Sequence, residues 1–252
     1  MKMARLVAAE ILDGLDAHSP AARRSRRDLR RVHRVMRTRS ILLGGLAELG
    51  VSRRAAGTLR VLELGAGDGT LMLGVARALA STAAAPTRPC VELTLLDRQP
   101  CVEPSTIVGY GQAGWDAVAV VADVIDWASG KVDVRATSGA LARWDLIVAS
   151  LFLHHFVGAQ LETLLGAIAS RTDLFLACEP RRGPVALAAS HLIGALGVNA
   201  VTRNDAVLSV RAGFADSELS ALWPAPREKW RLREYRAGPF SHCLAANRRD
   251  SA

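Results

Sequence analysis

Cysteine is scarce in this sequence of 252 residues, and its placement excludes two kinds of site. No two of the cysteines have the C-x-x-C spacing of a zinc site, and they do not form the closely spaced framework of a disulfide-rich domain. The four positions are Cys90, Cys101, Cys178 and Cys243. We therefore expect free thiols and a reducing, cytoplasmic location.

Long hydrophobic runs are also lacking. None reaches the roughly 18 to 20 apolar residues that a membrane span requires, so no span is predicted. The first residues, MKMARLVAAEILDGLD, mix charged and apolar side chains and do not resemble a signal peptide. Since 50% of the residues are hydrophobic, the chain can nevertheless form a sizeable core.

Lysine is nearly absent, and the basic charge is concentrated in one part of the chain. Residues 1–60 contain 14 Lys or Arg and 5 Asp or Glu, a net charge of +9. Residues 61–252 contain 18 and 19, a net charge of −1, so the excess precedes the region in which strands are predicted. Abundant alanine with little lysine is typical of a GC-rich bacterial genome.

The first part of the chain is predicted to be helical. Apolar residues recur at helical spacing over 4–15, and Ser19-Pro20 separates this segment from a second predicted helix over 22–40. One stripe of that second helix is apolar or aromatic, and arginines occupy the opposite face. The stripe comprises Leu29, Val32, His33 and Met36. With the apolar segment 42–49, these features predict a helical N-terminal cap over residues 1–57.

From residue 59 the hydrophobic period changes. Runs rich in Val, Ile and Leu, typical of buried strands, alternate with helical stretches, which indicates a parallel sheet covered on both faces. The predicted strands are 59–64, 92–96, 117–122, 145–151 and 173–178, and the helices between them are 71–80, 105–114 and 159–170. A helical insertion near 184–212 precedes two extended runs around 237–239, which predict an antiparallel pair. The expected fold class is α/β, a doubly wound, mostly parallel sheet in a domain over 58–252.

The first predicted strand ends in a glycine-rich turn, Glu63-Leu64-Gly65-Ala66-Gly67-Asp68-Gly69-Thr70, and a helix follows at once. Glycines at such a turn let the backbone approach a ligand, and the N–H groups of the helix start face the strand tips. The G-x-G-x-G spacing differs from the G-x-G-x-x-G of dinucleotide-binding proteins. Taken alone, the turn is also compatible with ordinary strand-to-helix packing.

Polar residues follow the next three predicted strands. Asp97 ends the second strand, where a carboxylate can accept hydrogen bonds from both hydroxyls of a ribose. Asp123 and Val124 follow the third strand, and the fourth continues into Ser150-Leu151-Phe152-Leu153-His154-His155-Phe156. An Asp at a strand end is also a common helix cap, so each position alone is ambiguous.

Together these four ordered segments, spread over roughly 61–180, resemble the class I S-adenosylmethionine-dependent methyltransferases. The likeness is to small-molecule enzymes such as those of ubiquinone and menaquinone biosynthesis. It implies a Rossmann-like methyltransferase fold with seven strands, S-adenosyl-L-methionine as cofactor and S-adenosyl-L-homocysteine as product. It also implies a set of cofactor-binding residues, with Asp97 at the ribose and Asp123 and the Val124 N–H at the adenine. The set is Glu63, Gly65, Ala66, Gly67, Asp97, Arg98, Asp123, Val124 and Ser150.

The resemblance does not carry over a metal site. The ubiquinone branch of the family has E-x-L-E-H at the fourth strand, where acids and a histidine are proposed to hold a divalent ion. This chain has Leu151, His154 and His155 at those positions, so two carboxylates are missing. We therefore expect no metal ion.

The acceptor is expected to be a small, aromatic or polyketide-like molecule. Amino-methylating nucleic-acid enzymes carry an (Asn/Asp/Ser)-Pro-Pro-(Tyr/Phe) loop after strand four, which is absent here. Phe152 and Phe156 would instead give the site an apolar mouth that suits a flat ligand. His191 and Arg203, in the helical insertion, are predicted to be further substrate contacts.

The histidine pair supplies the candidate general base. A histidine with a pKa near 6.5 can remove a proton from an attacking hydroxyl. Neighbouring residues of an extended chain point to opposite sides, so only one of the two can face the acceptor unless the backbone turns there. His155 is preferred over His154, because the resemblance places the active-site histidine there. The alternative is that one of the pair packs in the core or only orients the substrate.

The arginine-rich segment 23–39 supports a second hypothesis, in which the chain methylates rRNA or tRNA. It holds nine Arg and one Asp, which could bind phosphates. No aromatic residues are interleaved to stack bases, so we expect a solvated helix face without a specific nucleic-acid partner. A third hypothesis is a scaffold with this fold that binds the cofactor without turnover.

Overall fold

The computed structural model describes residues 3–51, 57–82, 90–136 and 143–249, which form a seven-stranded sheet. The strand order is β3-β2-β1-β4-β5-β7-β6; β1 to β5 are parallel, and β7 is antiparallel to both β5 and β6. The strands are β1 (Leu59–Leu64), β2 (Val91–Asp97), β3 (Trp115–Val121), β4 (Trp144–Ser150), β5 (Thr172–Pro180), β6 (Trp230–Ala237) and β7 (Ser241–Arg248). The predicted fold class, including the final antiparallel pair, is confirmed.

The helices connect the strands and form the segments before and after the parallel sheet. They are α1 (Ile11–Gly14), α2 (Pro20–Met36), α3 (Thr38–Glu48), α4 (Thr70–Thr82), α5 (Pro104–Gln112), α6 (Val124–Ala128), α7 (Gly158–Arg171), α8 (Pro184–Leu192), α9 (Ala200–Ala212) and α10 (Glu218–Ala221). Short 3-10 turns occupy Leu153–His155, Ile193–Leu196 and Arg227–Lys229. Within the described ranges, no helix is both long and apolar enough to cross a membrane.

Apolar side chains are buried on both faces of the sheet. Leu42 of α3, Met72 of α4 and Tyr110 of α5 pack in the core on one face. Trp127 of α6 and Leu164 of α7 pack in the core on the other face. Each such side chain stabilises the fold by about 1.5 to 3 kcal/mol relative to exposure. The two cores leave the carboxyl ends of the parallel strands as the place where a cavity can form.

Helix α2 begins as the sequence predicts and ends earlier. The Ser19 side chain accepts a hydrogen bond from the Ala22 N–H, and Pro20 occupies the first turn. The single helix expected over 22–40 is wrong, because Arg37 has a φ of 57°, in the left-handed region, and separates α2 from α3. The Asp28 carboxylate accepts from the Asn199 N–H at 2.8 Å and so joins α2 to the start of α9.

The helix expected over residues 4–15 is also wrong for most of its length. Residues 3–10 form no regular secondary structure, and helical structure within 3–15 is limited to α1. The Leu6 N–H donates to the Arg211 carbonyl, and the N–H groups of Ile11 and Leu12 donate to the Asp205 carboxylate. A short isolated helix is marginal in water, so these long-range hydrogen bonds prevail over the helical spacing. We refer to residues 3–15 as the N-terminal strap.

The proposed division into a cap over 1–57 and a domain over 58–252 stays a prediction. Residues 1–2 and 52–56 of the cap lie outside the described residues, as do 83–89, 137–142 and 250–252 of the domain. Residues 184–212 form α8, a 3-10 turn and α9, while the description of this segment as an insertion also stays a prediction.

Candidate active site

A cavity of about 780 Å³ lies at the carboxyl ends of the parallel strands β1 to β4. This is the edge at which doubly wound sheets bind their ligands. The segments that follow the strands line it, together with the strap, α2 and the segment from α8 to α9. All nine predicted cofactor residues line the cavity: Glu63, Gly65, Ala66, Gly67, Asp97, Arg98, Asp123, Val124 and Ser150.

The glycine-rich turn after β1 gives the cavity a surface of bare backbone. Gly65 and Gly67 have φ values of 67° and 55°, a conformation that side chains disfavour. A Cβ atom at Gly65 would come within 2.1 Å of the Phe152 ring, so the ring occupies the space that a side chain would need. A Cβ at Gly67 would meet no atom within 4 Å and would enter open space. The turn therefore allows close approach of a ligand at Gly67.

Asp97 ends β2 beside this turn. Its carboxylate accepts hydrogen bonds from the Gly67 N–H at 2.8 Å and from the Gln99 N–H at 2.9 Å. Burial raises the pKa of Asp97 in spite of these hydrogen bonds. Arg98 donates to the carbonyl oxygen of Asp13 at 2.7 Å, and this contact ties the end of β2 to the strap.

Three residues of the cavity lining have a buried polar atom with no hydrogen-bond partner among the described residues. The atoms are Oε2 of Glu63, Oγ of Ser150 and Oγ1 of Thr202. Glu63 is 2% exposed, and burial, with a contribution from Asp68 and Asp97, raises its pKa to about 8. Buried polar groups are nearly always hydrogen-bonded in folded proteins. These atoms therefore provide places for polar groups of a ligand.

Asp123 is a helix cap, which is the alternative role that the sequence left open for an Asp at a strand end. Its side chain accepts a hydrogen bond from the Ile125 N–H at 2.7 Å and caps α6. Asp123 and the neighbouring Val124 also line the cavity. Capping uses only part of the hydrogen-bonding capacity of a carboxylate, so the two roles are compatible.

The chain turns sharply after β4 and brings both histidines to the cavity. Leu151 has a φ of 53°, and a 3-10 turn over Leu153–His155 follows. The fully buried Glu179 carboxylate accepts from the N–H groups of Phe152 and Leu153 at 3.1 and 3.0 Å and holds this turn. His154 and His155 both line the cavity, with ring centroids 4.2 Å apart. Both histidines face the cavity because the backbone turns here, which is the condition under which the sequence allowed it.

The two histidines have opposite electrostatic environments. His154 is 2% exposed; its Nδ1 lies 2.8 Å from Glu179 Oε2, and its Nε2 lies 3.4 Å from Glu10 Oε1. Burial alone would lower the pKa of His154, but the two carboxylates raise it to about 9. Burial and the charge of His154 lower the pKa of the partly buried His155. At neutral pH the ligand-free chain therefore holds a charged His154 beside a neutral His155.

The predicted acceptor contacts divide into two groups. Phe152 and Phe156 line the cavity and pack edge to face, with centroids 5.2 Å apart. His191 and Arg203 are exposed and lie outside the cavity lining, so their role as substrate contacts stays a prediction without support from the cavity. The helical phase of α8 and α9 turns Ser190 and Thr202 toward the cavity instead.

Helix α2 covers the cavity with its apolar stripe. Leu29, Val32, His33 and Met36 all belong to the lining. The opposite face carries exposed arginines, as expected for a solvated helix. Arg30, between the two faces of the helix, donates a hydrogen bond of 2.9 Å to the Asp68 carboxylate of the glycine turn and forms an ion pair with it.

Several residues of the site were not predicted from the sequence. Glu10 and Asp13 of the strap and Ser209 of α9 line the cavity, and the Ser209 hydroxyl donates to Glu10. Their sequence positions, far from the strand tips, give no local signal of this. Glu179 lies near the end of β5, after a run of buried residues. An acidic side chain at a strand end was the one sequence signal for its place beside the site.

Comparison with known proteins identifies the fold. No protein-family model matches the chain, and no curated protein matches it. The plantazolicin methyltransferase BpumL in complex with SAH superposes with a TM-score of 0.59 at 11% identity, over 92% of each chain. The chain has a methyltransferase fold. An O-methyltransferase family protein from Burkholderia thailandensis gives a TM-score of 0.54 at 17% identity, over 84% of this chain and 57% of that one.

Human N-acetylserotonin methyltransferase in complex with SAM gives a TM-score of 0.50 at 15% identity. The match covers 94% of this chain and 61% of that one. This chain thus spans less than two thirds of two of the three structures. At these identities the similarity establishes the fold, while the chemistry has to be argued from the site.

Proposed function

We propose that this chain transfers a methyl group from S-adenosyl-L-methionine to a small aromatic or polyketide-like acceptor. The observation that carries the proposal is the cavity at the strand tips, where the bare glycine turn, Asp97 and the unpartnered atoms of Glu63 and Ser150 meet. Proteins with the same fold have been crystallised with SAH or SAM, which supports this choice of cofactor.

The residues of the cavity fit such a cofactor. Asp97 would accept from the ribose hydroxyls, and Asp123 and the Val124 N–H would receive the adenine. Glu63 and Ser150 would receive the polar groups of the amino-acid moiety, which gives their free atoms partners. When bound, the cofactor supplies a methyl group on a positively charged sulfonium. The chain's own contribution is to hold the acceptor in line with that group, and positioning of this kind can account for much of the barrier reduction.

His155 is the proposed proton acceptor on the substrate side. It lines the cavity next to Phe152, with ring centroids 6.3 Å apart, and its lowered pKa keeps it neutral at pH 7. A neutral imidazole can take the proton of an attacking hydroxyl, whereas the charged His154 cannot. We therefore assign the base to His155 and a positioning role to His154.

Isothermal titration calorimetry with S-adenosylhomocysteine tests the cofactor half of the proposal. We expect a micromolar dissociation constant, on the order of −8 kcal/mol. Asp97→Ala should weaken binding at least tenfold, because the acceptor of two hydroxyl groups is lost. Asp116→Ala, an exposed aspartate on β3, is the matched control and should bind as the unmodified chain does. Absence of binding by the unmodified chain would refute the proposal.

A further inference from the structure

Three side chains from two distant parts of the sequence lie close together beside the strap. Glu10 comes from the strap, and His154 and His155 come from the turn after β4. One potential ligand atom from each of them lies within 4.8 Å of the other two. All three residues line the cavity, and His154 is buried. Two imidazoles and one carboxylate form a donor set that suits a divalent transition metal.

The surroundings of His154 are those of a metal ligand. Its Nδ1 is hydrogen-bonded to the Glu179 carboxylate at 2.8 Å, which leaves Nε2 directed toward Glu10. A metal-bound histidine almost always donates its other ring N–H to a carboxylate, a carbonyl or water, which fixes the ring and its tautomer. Glu179 is itself held by the N–H groups of Phe152 and Leu153. The imidazole is therefore oriented by a buried support that does not depend on Glu10.

The distance between the donor atoms of His154 and Glu10 also fits. His154 Nε2 and Glu10 Oε1 are 3.4 Å apart, longer than the roughly 2.7 to 3.2 Å of a usual N–H···O hydrogen bond. Two ligand atoms bound tetrahedrally at about 2.0 to 2.1 Å from one zinc ion are separated by about 3.4 Å. The pair therefore has the spacing of two ligands of a common ion.

We propose that Glu10, His154 and His155 bind a divalent transition metal ion of the zinc type, with one coordination position open to the cavity. This departs from the expectation of no metal, which considered only the residues after β4 and not the strap. In the metal-bound form His155 is a ligand, so the base role proposed above belongs to the metal-free form. If the proposed function holds, the open position would take an oxygen of the acceptor and make its hydroxyl more acidic.

Metal titration of the full-length, chelator-treated protein tests the site. Calorimetry with zinc chloride should give one tight site per chain, and cobalt(II) should give the visible absorption of a four- or five-coordinate ion. Magnesium should not compete, because it prefers oxygen ligands in octahedral geometry. Glu10→Gln and His154→Gln should weaken zinc binding more than Glu179→Gln, which removes only the support and should cost about 10- to 100-fold. His18→Gln, at an exposed histidine, is the matched control.

The outcomes separate the metal site from its alternative. Failure of the unmodified protein to bind zinc, or equal zinc affinity in the Glu10→Gln, Glu179→Gln and control variants, would overturn the proposal. His154 would then be an imidazolium that bridges two carboxylates. Circular dichroism identifies a variant that does not fold. If His154→Gln does not fold, the zinc affinities of Glu10→Gln and Glu179→Gln still test the metal site. The titration contains no S-adenosylmethionine, so its result is independent of whether the proposed function is correct.

Discussion

Glu63 is the residue whose ionisation a ligand should change most. In the ligand-free chain its pKa is about 8, because the carboxyl is buried near Asp68 and Asp97. A ligand with a cationic amino group favours the carboxylate, so binding should release a proton below this pKa. We expect the affinity for S-adenosylhomocysteine to rise between pH 6 and pH 8 by up to about tenfold per unit. Calorimetry over this range measures the slope, and an unchanged slope in Glu63→Gln would contradict the assignment to Glu63.

His155 carries a second residue-level prediction, which concerns the proposed general base. In chelator-treated protein, His155→Ala should reduce turnover by about 10² to 10⁴, the usual contribution of a general base, and leave the affinity for S-adenosylhomocysteine nearly unchanged. The pH–rate profile should lose its acidic limb, which lies below pH 6.5 because the pKa of His155 is lowered. His154→Ala should act mainly on stability. Equal, small losses in both variants with an intact profile would mean that neither is a base.

Among the elements, the strap is the one fixed most clearly by a single side chain. The Asp205 carboxylate accepts from the N–H groups of Ile11 and Leu12, both at 2.9 Å. Hydrogen bonds to a charged group contribute about 1.5 to 3 kcal/mol. Asp205→Ala should therefore speed amide exchange at residues 11 and 12 by about 10- to 100-fold in a hydrogen-exchange experiment. Amides of β1 serve as the internal reference, and unchanged exchange in the strap would show that other contacts hold it.

The placement of the arginines on helix α2 bears on the hypothesis that the chain binds RNA. Its apolar stripe lines the cavity, and its exposed arginines, including Arg23, Arg27 and Arg34, face away from it without an interleaved aromatic residue. We expect only weak binding of RNA that disappears with rising salt, as for non-specific phosphate contacts. A gel-shift assay at about 150 mM salt measures this. Tight, sequence-selective binding under those conditions would favour the RNA methyltransferase hypothesis.

The elements differ in how far the sequence predicts them. Strands β1, β2, β4 and β5 are short runs rich in Val, Ile and Leu. The glycine turn follows β1 directly and Asp97 ends β2, so the local pattern is sufficient to predict them. The strap has helical apolar spacing too, but its backbone hydrogen bonds go to residues about 200 positions away. For the same reason Glu10, which is 144 positions from His154, could not be placed beside it from the sequence. The sequence bounds of a helix do not give its rotation, so the exposed positions of His191 and Arg203 could not be predicted.

For the whole molecule, the buried His154 links stability to pH. Its pKa is about 9 in the folded chain and 6.5 in the reference state, so its stabilisation is fully present below pH 6.5 and is lost as the pH rises through 9. The difference corresponds to about 3 kcal/mol. Urea unfolding of chelator-treated protein should show the free energy of unfolding fall over this range. The raised pKa of Glu63 also lowers the free energy of unfolding as the pH rises to about 8. The test is therefore whether this free energy depends less on pH in His154→Gln than in the unmodified chain.

The strand order also has a consequence for how the chain is made. β7 follows β6 along the sequence but lies between β5 and β6 in the sheet. While the ribosome is still synthesising the segment after residue 240, β5 presents an unpaired edge of apolar strand, and β6 has no neighbour to join. Such edges recruit other chains during folding. The nascent chain is therefore most prone to aggregate just before β7, its last described strand, is available for pairing. A pause in translation there would lengthen that interval.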